Sequence, residues 1–327
     1  MFKKHLNYEI KQILPIAGII SAIELLLRII SGQSIVSLFF VSGYLFIPAI
    51  IIILTVTQFK FMMDRRSTDL YYSLPITRFQ LYLSKLLSGM IALTIINLVH
   101  ILGLVLSSFG GTGFSLTQLF INLLMSLLSL GIYAYTSFIF TRAHSTIDGI
   151  IFILGHVLLI PAIVAIIMSI YAFDFLVNLT NSLSILFLGL FGSIQFLSQS
   201  NPTLFYYHQL FSDVEQTIVH LLVLFVIPLL GIISIYGVYK TEKCRRLEDV
   251  EDLSHSYFGY KVLIPLYAIT LSSIISMIGA ERMLYIFVGI LIYIGYAIYY
   301  RTMRLPAKGW YMALAVFVVS IFWMYVM

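Results

Sequence analysis

The acids, histidines and the one cysteine of this 327-residue chain are the groups that could do chemistry, and their spacing offers little of it. His144 and Asp148 stand one helical turn apart, but no third ligand accompanies them. Asp64 and Asp69 are five apart among bases, unlike the close aspartate pairs that hold magnesium for a pyrophosphate substrate. His100 and His156 lie inside apolar runs, where the ordinary reading is a core histidine bonded to its neighbours. His208 and His220 straddle the start of an apolar run without metal spacing. Cys244 is the only cysteine, so there is no disulfide framework and no cysteine zinc site. H-E-x-x-H, G-x-S-x-G and G-x-x-x-x-G-K-[ST] are all missing from the sequence. The expectation is a chain with no catalytic residues, no metal and no cofactor, which is not an enzyme and does not hydrolyse nucleotide by itself.

Glu24 is placed differently from the other acids. It lies inside an apolar run, four residues before Arg28, so the two share a helix face and can neutralise each other. Charge at membrane depth is costly and usually faces the bundle interior. The pair reads as a polar point on a transport path, or as a structural pair near the outer end with Arg28 snorkelling.

The elements that must position these groups follow from composition. The chain is 61% hydrophobic and 10% charged, with mean hydropathy +1.02. Soluble domains carry about 25% charged residues, so the expected fold class is all-α, a polytopic integral membrane protein with about nine transmembrane helices. Apolar runs of spanning length occupy 13–30, 35–59, 81–106, 116–140, 147–170, 218–239, 262–280, 283–300 and 310–327. Gly32-Gln33-Ser34 reads as the turn between the first two. The N-terminal residues 1–12 are too polar for a signal peptide. They place Phe2, Leu6, Ile10 and Ile13 at helical spacing, with Lys3, Lys4 and Lys11 elsewhere, which suits an interfacial helix on anionic head groups.

A tenth apolar run, 183–199, is short, is interrupted by Gly189 and Gly192, and ends at Asn201-Pro202. It reads as a re-entrant segment on the outer side or as a full span. Charge favours the re-entrant form. With it, seventeen of the nineteen bases fall in loops assigned to the cytoplasm, Arg282 outside and Arg28 within a span. The N-terminus is then cytoplasmic and the protein sits in the plasma membrane, in contact with lipid. The net charge of +5 reads as topology, not as nucleic-acid binding. Residues 241–261 are basic and then acidic, with i,i+4 pairs Glu242/Arg246 and Arg245/Asp249, and form a charged cytoplasmic loop.

One cytoplasmic stretch, 64–85, is far richer than a connection needs. It reads D-R-R-S-T-D-L-Y-Y-S-L-P-I-T-R-F-Q-L-Y-L-S-K and is long enough for a short amphipathic helix on the membrane surface. Within it, D-L-Y-Y-S-L-P-I-T-R-F-Q-L-Y-L-S-K-L-L-S-G over 69–89 resembles the type-2 ABC exporter permeases. The closer likeness is to a Gram-positive branch with S-L-P-[IV]-[ST]-R followed by a lysine that opens the third span. The resemblance covers residues 1–240 as a six-span core, and 241–327 adds the charged loop and three further spans.

What the resemblance implies is a transport subunit driven by a separate ABC ATPase in two copies, which binds the ATP and magnesium. A second permease chain would complete it, as a homodimer or paired with a similar chain. Residues 69–80 would be the coupling helix. Tyr71, Tyr72, Leu74 and Phe79 would supply buried contact area, Asp69 and Arg78 would set register through charge, and Pro75 would start or break the turn. The implied cargo is an antimicrobial, an amphipathic peptide such as a phenol-soluble modulin, or a lipid-like compound, with a role in antimicrobial resistance. The alternative is an intramembrane enzyme or envelope assembly factor of the same topology without an ATPase partner.

Overall fold

The computed structural model describes residues 2–108, 116–172, 214–242, 256, 258–277 and 284–326. Among these residues all regular structure is helical and no strand occurs. The helices are α1 (Phe2–Phe59), α2 (Arg65–Tyr72), α3 (Arg78–Ser108), α4 (Leu116–Thr141), α5 (Thr146–Ala172), α6 (Val214–Glu242), α7 (Tyr260–Met277), α8 (Leu284–Tyr300) and α9 (Ala307–Val326). A 3₁₀ turn, Lys60–Met63, joins the first two. From α3 onward the boundaries fall within a few residues of the apolar runs. Among the described residues one helix, Arg78–Gly103, is long and apolar enough to cross a membrane, with mean hydropathy 2.0. Six shorter apolar helices of 10–17 residues accompany it.

The chain divides into two compact units, Met1–Thr141 with Ser184–Leu247, and Arg142–Leu183 with Glu248–Met327. In the first unit α1 packs along α3. Its buried stripe is Glu9, Ile13, Ala17 and Ser21, four apart and therefore on one face. This differs from the interfacial helix expected over 1–12. Residues 2–12 are continuous with the helix that follows, and the face they bury carries Glu9, while Phe2, Leu6 and Ile10 are only half covered. The reason is a polar partner for Glu9 on α3, which periodicity of apolar residues does not register.

Helical backbone also runs through Gly32-Gln33-Ser34, where a turn is expected. A straight helix would set Glu9 and Phe59 about 75 Å apart, at about 1.5 Å per residue. Yet Glu9 meets Lys85, and Phe59 packs on Tyr82, three residues earlier on α3. The chain therefore doubles back between Glu9 and Phe59, and both reach the same level of α3.

The rest of the first unit is held by small residues and short polar side chains, as suits helices with no water between them. A Cβ on Gly231 of α6 would lie 2.9 Å from the Gly131 Cα of α4, so the two backbones touch at that crossing. A Cβ on Gly89 would overlap the Tyr133 hydroxyl, which fills the notch the glycine leaves. Asn97 donates to Ser129 Oγ (2.9 Å), and the hydroxyls of Tyr82 and Ser137 (2.9 Å) and of Thr55 and Thr136 (3.2 Å) pair.

In the second unit α5 packs on α7, which packs on α8 and α9. By contact, α5 groups with the C-terminal helices in this unit. Asp148, in the first turn of α5, accepts from the Tyr260 hydroxyl (2.7 Å) and from Arg301 Nη2 (3.2 Å). Phe152 packs edge-on against Tyr260 at 4.9 Å, and Tyr267 donates to the Gly155 carbonyl (2.6 Å). Arg301 adopts a positive φ of 52°, closing α8 with a left-handed residue.

Candidate docking surface

The stretch 64–85 is built by local rules. Asp64 is extended and caps α2: its Oδ2 accepts from the Ser67 hydroxyl (2.7 Å) and backbone N–H (3.3 Å). These bonds, that of the Ser67 hydroxyl above all, hold the Asp64 carboxyl below the ordinary carboxylate range. At this cap the chain bends by 84° between Ile47–Met63 and α2. Thr68, buried on the inner face of α2, donates to the carbonyls of Phe61 (2.9 Å) and Asp64 (2.6 Å) and fixes the bend.

The expected coupling helix over 69–80 is corrected by the observed boundaries. The helix is Arg65–Tyr72, and residues 73–77 are a turn. Leu74 precedes a proline and is steered away from helical backbone. Pro75 then sits at the centre of a three-residue turn closed by Ile76 N–H to the Leu74 carbonyl (2.8 Å). Thr77 and Gln80 start α3 as a reciprocal capping box: Gln80 N–H donates to Thr77 Oγ1 and Thr77 N–H to Gln80 Oε1, each at 3.2 Å.

These rules distribute the expected site residues unequally. Asp69, Leu74, Pro75 and Arg78 are exposed, and Tyr71 and Tyr72 are half-buried. The Arg78 guanidinium lies over the Tyr72 ring at 4.7 Å, bridging the end of α2 to the start of α3. Phe79 is half-buried and packs edge-on against Tyr239 of α6 at 5.0 Å, a ring that is itself exposed. Leu70, absent from the expected set, is the most exposed apolar residue of the stretch at 69%. A helix capped at Asp64 puts Leu70 on the outer face with Arg66 and Asp69, and the D-x-x-S cap was the signal for it. The side chains of Glu24 and Arg28 lie outside the described residues, as do 183–199 and 243–255.

Beneath this surface is a buried polar cluster. Lys85 Nζ is 2.6 Å from Glu9 Oε2, and both side chains are buried. The same ammonium donates to the Tyr71 hydroxyl (3.4 Å) and lies over the Tyr71 and Phe61 rings at 4.7 and 5.2 Å. Those two rings pack on each other at 4.6 Å. His5 Nε2 approaches Glu9 Oε1 at 3.4 Å without hydrogen-bond geometry. Burial lowers the His5 pKa; Lys85 adds to this and Glu9 opposes it. Removing one member of a buried ion pair costs about 3–5 kcal/mol, because the other is left uncompensated.

The remaining sequence candidates resolve into structural roles. Asp148 is engaged by Tyr260 and Arg301, and His156 Nδ1 donates to the Phe152 carbonyl (2.8 Å). The site is thus a helix-and-turn platform on an all-α body, capped at both ends and anchored from below by one lysine. No family model, characterised protein or solved structure matches the chain at a significant level.

Proposed function

We propose that this chain is the polytopic permease subunit of an ATP-driven exporter in the plasma membrane, with about nine spans. The observation that carries the reading is the outer face of α2 and its turn. Leu70 and Leu74 stand exposed among Arg65, Arg66, Asp69 and Arg78, on a segment whose inner face is capped and bonded. Apolar residues ringed by charge on a rigid base are what a protein partner needs for buried contact and register. A connection with no partner would have no use for them.

The partner is an ABC ATPase, two copies serving a pair of permease chains, because this chain carries no phosphate-binding loop. The cargo is amphipathic or lipid-like. Among the described residues the apolar helices show neither the convergent polar groups that a sugar needs nor the oxygen cages that an ion needs. The test is affinity purification of the tagged full chain from its native membrane, with identification of what accompanies it. A P-loop subunit at equal stoichiometry, whose hydrolysis rises with hydrophobic peptide, is the expected result. A chain that purifies alone from membranes containing its neighbours would overturn the reading.

A further inference from the structure

The docking face makes no use of the charge buried beneath it. An eight-residue helix cannot hold its own conformation in water, so the orientation of α2 has to come from what it rests on. Besides the Arg78 guanidinium over the Tyr72 ring at its end, two anchors lie beneath it. One is Thr68 on the Phe61 and Asp64 carbonyls. The other is Tyr71, whose hydroxyl and ring both meet the Lys85 ammonium.

Lys85 in turn touches three segments at once: α1 through Glu9, the 3₁₀ turn through the Phe61 ring, and α2 through Tyr71. A buried ammonium keeps such a position only while a carboxylate compensates it, and Glu9 is that carboxylate. An apolar residue at 85 would fill the space but would leave the Tyr71 hydroxyl without its donor and the two rings without a cation.

We propose that the Glu9–Lys85 pair positions the docking surface, with Lys85 fixing α2 through Tyr71 and Glu9 holding Lys85 in place. The inference rests on the docking reading for its functional meaning, although the hold on α2 belongs to this chain alone. Both are positioning residues, since neither reaches the outer face. The pair joins the first residues of the chain to a surface about seventy positions later, so damage to α1 near Glu9 acts on partner binding at a distance.

The experiment is hydrogen exchange on the full chain in lipid nanodiscs, comparing wild type with Lys85→Met, Lys85→Arg and the double variant Glu9→Gln/Lys85→Met. The double variant leaves no orphan charge and guards against simple misfolding. Amides of Arg65–Tyr72 are expected to exchange about tenfold or more faster in Lys85→Met and in the double variant. Those of Leu86–Ile96 in the middle of α3 should be unchanged, and Lys85→Arg, which keeps the cation, should resemble wild type. Unchanged protection of α2 in a double variant whose α3 is still protected would overturn the proposal.

A second arm measures retention of the P-loop subunit that co-purifies with wild type. Loss in step with the loosening of α2 supports the positioning role, and full retention on a loosened α2 overturns it. If wild type captures no such subunit, the docking reading fails, while the exchange data still decide whether the pair holds α2.

Discussion

Tyr260 and Asp148, 112 residues apart in sequence, are joined by a hydrogen bond of 2.7 Å that the Arg301 guanidinium reinforces from the other side of the carboxylate. The bond ties the first turn of α5 to the first residue of α7, and Arg301 adds the end of α8. Burial and the neighbouring carboxylate together push the Tyr260 hydroxyl well above its ordinary pKa, so the phenol stays a donor at any physiological pH.

Asp148→Ala should therefore destabilise the unit of α5 and α7–α9 selectively. It strands the buried Tyr260 hydroxyl, at about 1–3 kcal/mol. Arg301 is 47% exposed and adds little, because water screens it. Asp148→Asn keeps an acceptor for Tyr260 and should lose less than half as much. Denaturant unfolding in detergent, followed by the two tryptophans of α9, Trp310 and Trp323, measures both. Equal loss in the two variants would show that charge, not the hydrogen bond, holds the helices.

Gly231→Leu should separate α4 from α6. The added atoms would press on backbone at Gly131, which cannot yield as a side chain can, and overpacking of this kind costs about 1–3 kcal/mol or more. Gly18→Ala is the comparison, since its Cβ would meet nothing within 4 Å and alanine favours helix by about 1 kcal/mol. Thermal inactivation of the detergent-extracted chain should move in opposite directions for the two variants.

At the candidate docking surface the exposed leucines and the half-buried, ring-paired Phe79 should behave differently. Leu70→Ser with Leu74→Ser should weaken capture of the proposed ATPase partner about tenfold or more, at near-wild-type stability, because both side chains are exposed. Phe79→Ala should instead cost about 1 kcal/mol of stability through the lost ring pair with Tyr239. Binding measured against melting for the three substitutions separates the two effects, and loss of stability in the double serine variant would refute the assignment of the outer face.

His5 gives the first unit a dependence on acidity. Its pKa is lowered in the folded chain, chiefly by burial, so the unfolded chain takes up a proton first as pH falls. Stability is complete above the ordinary histidine value of about 6.5 and declines as pH drops from there toward the lowered folded value. His5→Asn, which has no proton to bind, should flatten that part of the stability–pH curve. A slope unchanged by the substitution would assign it to another group.

Much of this arrangement was legible in the sequence. Apolar runs of spanning length marked α3 to α9 within a few residues, and the charged, aromatic stretch 64–85 holds a short helix and a turn between longer helices. The missed features were those where polar atoms choose partners across the fold. Periodicity assigned residues 2–12 a lipid-facing apolar stripe, whereas Glu9 turned that helix toward Lys85. The ring pair of Phe79 with Tyr239, 160 positions away, has no local signal in the sequence. The end of the helix at Tyr72 was written locally, in the cap at Asp64 and the Leu74-Pro75 step, and needed only those rules in place of the pattern of aromatics.

The contacts of Glu9 with Lys85 and of Phe59 with Tyr82, at one level of α3, also bear on the path of the chain. Glu9 and Phe59 therefore stand at one depth along α3, about one helical turn apart. A reporter fused ahead of Phe2, compared with one beside Leu70, measures whether the two ends of that path share a compartment.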